Sequence, residues 1–418
     1  MVRLPYGNRY LDIKIPVRKN IEILMPKRTT PIADPRRYAH RKLSALLDKK
    51  GFFSECEDKK VCLVVSDKTR FAFNDIITPI LLRKMTEMGV RKHNIIILVA
   101  TGLHAPMSHR DLVENIGKEV VENFKIQNHD PNRDLVSLGA TERGTPLFVN
   151  KYFMEAELKI ATGIVAPHFH AGFGGGCKSI LPGICGRDTI LRNHRFDMIA
   201  DGKSRYGVLD GNPVYEDITE AGLKSGLNLI VNVAIDSDKR MTHLFVGEPQ
   251  ATHRKAARKI AEETKVRFRG LFDIVVTTNG GYPLDRNLYQ CAKGAAIAEL
   301  LVKPGGTIVI ASECRDGVAH RIFQQYMSHG KTPDDVLDKL RKDEPVDDQD
   351  NIQIFARVLA RAKVIIATAG VKARIMRQMK MHHALSVKQA LRMCGWPVDK
   401  RLRIAIVPSG PYVLPVGA

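Results

Sequence analysis

The densest group of potentially reactive side chains lies in residues 167–194, which read PHFHAGFGGGCKSILPGICGRDTILRNH. Glycines at 172, 174, 175 and 176 allow positive φ and a close approach of the backbone to a ligand. Lys178 follows these glycines directly, and His168 and His194 flank them. A loop of this composition could hold an anionic or planar ligand beside a nucleophilic amine and two imidazoles.

A phosphate-binding P-loop of the form G-x-x-x-x-G-K-[ST] is the first interpretation of this loop. Residues 172–179 nearly fit it, but Cys177 stands where the second glycine belongs. Pro182 would also break the helix that must follow such a loop. The sequence therefore disfavours a P-loop nucleotidase.

A zinc site is the second interpretation of the same segment. His168, His170 and either Cys177 or His194 could supply the ligands, because neutral imidazole and thiolate both bind zinc. The histidines lack the compact HExxH spacing of many zinc enzymes. A zinc-dependent hydrolase is therefore kept as an alternative.

Short β-branched runs along the chain are typical of buried parallel strands, and helical patterns at 78–88 and 250–265 separate some of them. The runs lie at residues 61–65, 95–100, 158–165, 229–235, 272–277, 307–311, 364–368 and 404–407. This alternation predicts an α/β protein with mostly parallel sheets.

The length of 418 residues favours more than one domain, at ~150 residues per domain. A charged helical stretch before the run at 272 predicts an N-terminal α/β domain over 1–268 and a C-terminal α/β domain over 269–405. The Pro/Gly-rich tail at 406–418 is free to return to the first domain. Polar residues follow several strands, and ligands collect at the carboxyl ends of parallel strands, so we expect an active site in the cleft between domains.

Composition excludes several classes of protein. With 44% hydrophobic and 26% charged residues, the chain is neither disordered nor of low complexity. A formal net charge of +20 makes nucleic acid the first partner to consider. The basic residues are spread along the chain, however, and no nucleic-acid-binding motif accompanies them. We expect no nucleic-acid partner, and a non-enzymatic basic anion-binding or nucleic-acid-binding protein stays as an alternative.

Localisation is predicted from two further features. The sequence has no run of ~18 apolar residues and no apolar segment near its beginning, so we expect neither a membrane span nor a cleaved signal peptide. Seven cysteines are scattered without a CxxC spacing, which is typical of reduced thiols. The sequence therefore predicts a cytoplasmic protein.

Four separated motifs resemble those of the nickel-pincer lactate racemase family, which comprises 2-hydroxyacid racemases and epimerases. They are D-K-T-R at 67–70, T-G-L-H at 101–104, the H-x9-K-x15-H frame of residues 168, 178 and 194, and Y-Q-x-x-K at 289–293. The LPYG at 4–7 and the VLP at 413–415 also agree. The resemblance therefore covers essentially the whole chain.

The resemblance implies a nickel-pincer nucleotide, the nickel complex of pyridinium-3,5-bisthiocarboxylic acid mononucleotide. It would be attached covalently at Lys178 through a thioamide, with His194 as the protein's nickel ligand. Gly174 and Gly175 would let the backbone approach the flat cofactor, and Asp67 would orient this part of the site. Proteins that synthesise the cofactor are implied as partners.

The resemblance also implies inversion at C2 of a small 2-hydroxy acid. The hydrogen leaves as a hydride while a base takes the hydroxyl proton, and the resulting 2-keto acid accepts the hydride on its other face. His104 and His168 would be the two bases, because imidazole exchanges protons near neutrality. The substrate-binding residues would be Arg70, Tyr289, Gln290 and Lys293, with Arg70 as the carboxylate clamp.

One departure from the family pattern concerns the substrate. Phe71 follows Arg70 where the family often has proline, which would alter the loop beside the carboxylate clamp. The substrate-facing residues do not single out lactate. Malate, phenyllactate and sugar acids are equally compatible with the motifs.

Overall fold

The computed structural model describes residues 1–14, 19–49 and 58–417. The strands are β1 (Val2–Tyr6), β2 (Arg9–Ile13), β3 (Ile21–Ile23), β4 (Val61–Ser66), β5 (Ile95–Ala100), β6 (Lys125–Asn128), β7 (Leu135–Ala140), β8 (Pro146–Asn150), β9 (Leu158–Ile164), β10 (Pro167–His168), β11 (Gly172–Phe173), β12 (Leu229–Ile235), β13 (Met241–Gly247), β14 (Lys265–Phe268), β15 (Phe272–Thr278), β16 (Val302–Ala311), β17 (Lys363–Ala367), β18 (His382–Ala384), β19 (Ile404–Val407) and β20 (Leu414–Gly417).

The α-helices alternate with these strands. They are α1 (Pro35–Lys49), α2 (Asn74–Glu87), α3 (His109–Ile116), α4 (Lys118–Asn123), α5 (Lys151–Met154), α6 (Arg187–Asn193), α7 (Phe196–Ala200), α8 (Pro213–Lys224), α9 (Pro249–Thr264), α10 (Ala292–Glu299), α11 (Arg321–Met327), α12 (Pro333–Lys342), α13 (Gln349–Arg361), α14 (Ala373–Gln378) and α15 (Val387–Met393).

A first six-stranded sheet has the order β13-β12-β9-β4-β5-β6. Its pairs are parallel except β12 with β13. In the central strand β4, residues 61–65 are fully buried because helices or loops cover both faces of the sheet. The apolar runs of the sequence therefore mark the interior of this sheet.

A second six-stranded sheet has the order β18-β17-β16-β15-β19-β3, and all of its pairs are parallel. Its last strand, β3, comes from near the beginning of the chain. The hairpin of β1 and β2 packs Val2, Leu4 and Tyr6 against the same sheet. The first segments of the chain thus belong with the second sheet.

The α/β architecture with mostly parallel sheets is confirmed. The predicted division at residue 268 stays a prediction, and β20 of the tail pairs in parallel with β14, directly before that division. Most predicted boundaries agree within one residue, and two starting points differ by more. Strand β16 begins at Val302 rather than 307, because residues 303–306 are partly exposed and lack an apolar signal. Helix α2 begins at Asn74 rather than 78, and the Asn74 side chain donates a 2.9 Å hydrogen bond to the Ser66 carbonyl at the end of β4.

The described cysteines, six in number, are free thiols, and Cys56 lies outside the described residues. None of the described helices is both long and apolar enough to cross a membrane.

Candidate active site

A cavity of about 510 Å³ lies between the carboxyl ends of β4, β5 and β9 and the segments that follow β15 and β16. The cavity brings together every site residue predicted from the sequence. These are Asp67, Arg70, His104, His168, Gly174, Gly175, Lys178, His194, Tyr289, Gln290 and Lys293. The location matches the expected cleft, since ligands of parallel sheets collect at strand ends.

Asp67 and His104 form a hydrogen-bonded pair at the ends of β4 and β5. Asp67 Oδ2 lies 2.7 Å from His104 Nδ1, and Thr69 donates to Asp67 Oδ1 through its hydroxyl at 2.6 Å. Burial opposes ionisation of Asp67, but the hydrogen bond from His104 and the nearby Arg70 outweigh it and hold its pKa at about 2. Because the ionised carboxylate accepts the Nδ1 proton, Nε2 of His104 is the nitrogen available to a substrate.

His168 lies on β10 within the cavity wall. Its Nδ1 accepts a hydrogen bond from the Ala171 N–H at 3.3 Å, and its ring stacks on Phe169. Burial lowers the pKa of His168 well below its usual value, and the charge of Lys178 lowers it further. His168 is therefore neutral at neutral pH, and because its Nδ1 lone pair accepts the Ala171 N–H, the ring proton in this arrangement lies on Nε2.

Lys178 lies in a single 3₁₀ turn, Gly176–Ser179. Burial lowers the pKa of its amine to about 7, with a further contribution from the charge of Arg70. Near neutral pH a large share of the amine is uncharged and nucleophilic. This property fits the covalent attachment point that the family resemblance implies.

One of the glycines before Lys178, Gly175, is required by packing against the first sheet. Gly175 has φ +81°, and a Cβ there would lie 2.7 Å from Asn232 Oδ1 on β12. The same oxygen accepts a 2.7 Å hydrogen bond from the Gly176 N–H. Gly174 and Gly175 line the cavity, but their close contacts are with protein atoms, so their cofactor-binding role stays a prediction.

His194 caps the carboxyl end of α6. Its Nε2 is buried and makes no hydrogen bond to any described residue. Burial lowers the pKa of His194 to about 3, so its imidazole is neutral and suited to a transition metal. An unpartnered buried nitrogen of this kind fits a metal ligand better than a structural histidine.

A buried carboxylate on α8 holds the helix that carries His194. Asp217 is fully buried and accepts hydrogen bonds from the Thr141 hydroxyl, the Thr145 hydroxyl at 2.8 Å and Asn193 Nδ2 at 2.8 Å. Asn193 is the last residue of α6, directly before His194. The Asp217 carboxylate therefore fixes the position of the candidate metal ligand.

We expect Asp217→Ala to lower the free energy of unfolding by about 3 kcal/mol, because it leaves three buried donors without an acceptor. Asp197→Ala is the matched control, since Asp197 is exposed and should change stability by less than about 0.5 kcal/mol. Urea unfolding of both variants measures the difference. Equal stabilities of the two variants would show that the Asp217 network does not hold α6.

Three predicted substrate-binding residues lie where the chain enters α10. Lys293 Nζ donates a 2.6 Å hydrogen bond to Gln290 Oε1. Burial lowers the pKa of Lys293 to about 7, and the charge of Arg70 lowers it further. The Tyr289 ring stacks on His320 with centroids 4.2 Å apart. These residues face Arg70 across the cavity, so side chains from both sheets can contact one small anion.

Asp350 is a charged cavity residue that the sequence did not predict. It lies in the first turn of α13, and its Oδ2 is 3.2 Å from His170 Nε2. Candidate ligand atoms of His170, His194 and Asp350 lie within 4.8 Å of one another, a group that could hold a metal ion. Its sequence context gave no sign of this position, because Asp350 ends the acid-rich run at 343–350 and such runs usually mark exposed surface.

The P-loop interpretation and the version of the zinc site that uses Cys177 find little support. Cys177 does not join the histidines of the predicted zinc set, because its sulfur packs against Gly222 of α8. Burial raises the pKa of the Cys177 thiol to about 12, which disfavours a thiolate ligand. No α-helix follows Lys178 directly, as a P-loop would require; the next one begins at Arg187.

Comparisons with known proteins agree with this geometry. The family model for the lactate racemase N-terminal domain matches residues 6–207, and the model for the C-terminal domain matches residues 269–414. The lactate racemase of Thermoanaerobacterium thermosaccharolyticum is 34% identical over 421 residues, which cover 99% of this chain and 98% of that protein. The lactate racemase of Lactiplantibacillus plantarum is 35% identical over 359 residues, 85% of this chain and 84% of that protein.

Solved structures show the same relationship. The lactate racemase apoprotein from T. thermosaccharolyticum superimposes with a TM-score of 0.90 at 34% identity, over 99% of both chains. A protein from Thermotoga maritima superimposes with a TM-score of 0.68 at 18% identity, over 92% of this chain and 98% of that one. The second likeness concerns the fold alone.

Proposed function

This chain belongs to the lactate racemase family, and we propose that it interconverts the stereoisomers of a 2-hydroxy acid on a lysine-tethered nickel-pincer nucleotide. Membership makes the chain an isomerase of the racemase type. The observation that supports the cofactor most directly is the buried amine of Lys178, with its pKa of about 7, in one cavity with the unpartnered Nε2 of His194.

Lys178 would hold the nucleotide through its side-chain nitrogen, and His194 Nε2 would bind the nickel. Sulfur and imidazole ligands both suit nickel. When bound, the nickel complex supplies a centre that accepts and returns the hydride of C2. The protein's own contribution is to bind the acid, orient it and move the hydroxyl proton.

Arg70 and Lys293 would bind the substrate carboxylate. A guanidinium can clamp a carboxylate in a bidentate manner, and a buried ammonium adds a second charge-assisted hydrogen bond. The substrate anion would also compensate the mutual repulsion of the Arg70 and Lys293 side chains, which now lowers the pKa of Lys293. The carboxylate end of the substrate is thereby fixed before proton transfer.

His104 and His168 would act as the two bases, one for each stereoisomer. Each can take the hydroxyl proton as the C2 hydrogen leaves and return it when that hydrogen comes back. Asp67 keeps the Nδ1 proton on His104 and so presents Nε2 as the basic nitrogen. His168 differs, because its Nδ1 accepts the Ala171 N–H and the ring proton then lies on Nε2. To act as a base through Nε2, the ring would give up this 3.3 Å contact and carry its proton on Nδ1.

Cofactor-synthesis proteins are partners in this proposal, because the chain must receive its nucleotide ready made. The free thiols are compatible with the reducing conditions of the cytoplasm, where we place the protein. The proposal involves neither nucleic acid nor a membrane surface.

The test uses the chain made together with the cofactor-synthesis proteins in nickel-containing medium. Each pure stereoisomer of a panel of 2-hydroxy acids is incubated with loaded and unloaded enzyme, and the products are separated by chiral chromatography. We expect the loaded enzyme to convert at least one acid to a mixture of stereoisomers and the unloaded chain to convert none. In ²H₂O the C2 position should stay free of deuterium. A nickel-loaded enzyme that leaves every acid unchanged would contradict the proposal.

A further inference from the structure

Lys239 joins the two large sheets beside the cavity. It lies in the turn between β12 and β13 of the first sheet. Its Nζ donates a hydrogen bond to the carbonyl of Tyr282, in the loop that follows β15 of the second sheet, and lies 5.2 Å from the centre of the Phe71 ring. Phe71 directly follows Arg70, and both residues line the cavity. We call Lys239, Phe71 and Tyr282 the latch.

The turn that carries Lys239 is held by its own hydrogen bonds. Asp236 Oδ1 accepts from the N–H groups of Asp238 at 3.0 Å and Arg240 at 2.9 Å, and Arg240 Nε donates to Asp236 Oδ2 at 2.9 Å. Lys239 has φ +63°, and its N–H donates to the Asp236 carbonyl at 3.0 Å. The backbone of the turn therefore fixes the direction in which the lysine side chain leaves it.

The loop on the other side of the latch is held by the hairpin of β1 and β2, through its LPYG segment at 4–7. The Gly7 N–H donates to Asp285 Oδ2 at 2.6 Å, and the Tyr282 N–H donates to the Gly7 carbonyl at 2.9 Å. Leu284 of the same loop lines the cavity. The latch therefore ends on a fixed loop that also forms part of the cavity wall.

Partial burial distinguishes the latch from an ordinary surface contact. The contacts of exposed lysines contribute little to stability, because water and salt screen the charge. Lys239 is half-buried, and burial lowers its pKa below the ordinary value against the opposing effect of Asp285. A partly desolvated ammonium binds a carbonyl oxygen and an aromatic face more strongly than a fully hydrated one does. Removal of the ammonium would therefore weaken the connection between the two sheets.

The position of the latch matters because the proposed carboxylate clamp draws on both sheets. Arg70 follows β4 of the first sheet, and Lys293 lies on α10, which follows β15 of the second sheet. Since both side chains must reach one carboxylate, a small shift of one sheet against the other would weaken substrate binding. Phe71 is the chain neighbour of Arg70, so the latch holds the segment that carries the clamp.

We propose that Lys239 is a positioning residue, which joins the first sheet to the second and holds Arg70 and Lys293 at the separation that one substrate carboxylate requires. This inference rests on the proposed function and adds to it a residue outside the cavity lining. It also gives the Phe71 ring a role, because a residue without an aromatic face at this position could not bind the ammonium in the same way.

The test compares two variants of Lys239 in the nickel-loaded enzyme, on a 2-hydroxy acid that the wild type converts. Lys239→Met removes the charge and the donor but keeps a long side chain, so we expect KM to rise ~10-fold while kcat stays within ~3-fold. Lys239→Arg restores a charged donor, and its KM should lie within ~3-fold of the wild-type value. Lys125→Met is the matched control, because Lys125 Nζ lies 5.3 Å from the Tyr152 ring outside the cavity lining, and its KM should match the wild type.

Phe71→Leu tests the same contact from the other side. It removes the aromatic face alone, and we expect KM to rise ~3-fold. Combined with Lys239→Met it should raise KM no further than Lys239→Met does, because both changes break one contact. Fully additive effects of the two substitutions on log KM would overturn the latch.

Amide hydrogen exchange of the unloaded chain gives a readout that does not depend on turnover. In Lys239→Met, peptides that cover residues 68–73 and 279–285 should exchange at least ~3-fold faster than in the wild type, and Lys125→Met should match the wild type. Unchanged exchange in Lys239→Met overturns the latch, and faster exchange with an unchanged KM overturns its role in substrate binding. A loaded wild-type enzyme that converts no acid overturns the proposed function, and the exchange rates then still decide whether the latch joins the sheets.

Discussion

Lys178→Ala should abolish interconversion of 2-hydroxy acids, with a loss of at least ~10,000-fold in kcat, because the variant lacks the nitrogen that would tether the cofactor. The environment of Lys178 gives the physical reason. Burial and the charge of Arg70 lower the pKa of the amine to about 7, so the uncharged nucleophile is available near neutral pH. Lys178→Arg should be equally inactive, since arginine keeps the charge but stays protonated.

Lys159→Ala is the matched control for that prediction. Burial lowers the pKa of Lys159 as well, but this residue lies on β9 with its amine over the Phe153 ring, outside the cavity. We expect the Lys159 variant to keep activity within ~3-fold if it folds, because it touches no part of the site. Activity above one tenth of the wild-type value in Lys178→Ala would remove Lys178 from the chemistry.

His104→Ala and His168→Ala should each reduce kcat for interconversion by at least ~1,000-fold while nickel content stays at the wild-type level. Both directions of the reaction need both bases, since one histidine removes the hydroxyl proton and the other returns it. Asp67 presents Nε2 of His104 as a basic nitrogen in the free enzyme, and burial keeps the His168 imidazole neutral. Chiral chromatography and metal analysis of the same preparations measure the two quantities.

His243→Ala controls for the loss of a carboxylate-bound imidazole. His243 Nε2 lies 2.9 Å from Glu263 Oε1, a geometry similar to the pair of His104 and Asp67 but remote from the cavity. We expect its kcat to stay within ~3-fold of wild type. If His104→Ala or His168→Ala behaves like this control, that residue is not one of the bases.

The sequence locates the cavity because three of the candidate segments, which begin at Asp67, Thr101 and Pro167, follow strands within three residues. Apolar runs locate β4, β5 and β9, and the residues after them converge at one edge of the sheet. Sequence alone does not predict contacts between distant segments with weak local patterns. Strand β3 has only three residues, and its partner β19 lies about 380 positions away. Asp350 joins His170 only because α13 packs beside the cavity.

The glycine loop shows why residue type alone leaves a role undetermined. Glycines before a lysine suggested a surface for a flat cofactor. A glycine at position 175 is also required by the protein itself, because a Cβ there would clash with the Asn232 side chain of β12. The net charge of +20 also leaves the role of individual basic residues undetermined. Arg70, Lys178 and Lys293 line the same cavity, where their charges favour binding of an anion.

Peptide mapping by mass spectrometry, on chain made with the cofactor-synthesis proteins and nickel, tests the central claim most directly. The account predicts that the peptide containing Lys178 carries the added mass of the nucleotide, that no other lysine does, and that nickel is present at about one atom per modified chain. An unmodified Lys178 peptide in a preparation that nevertheless racemises a 2-hydroxy acid would contradict the account.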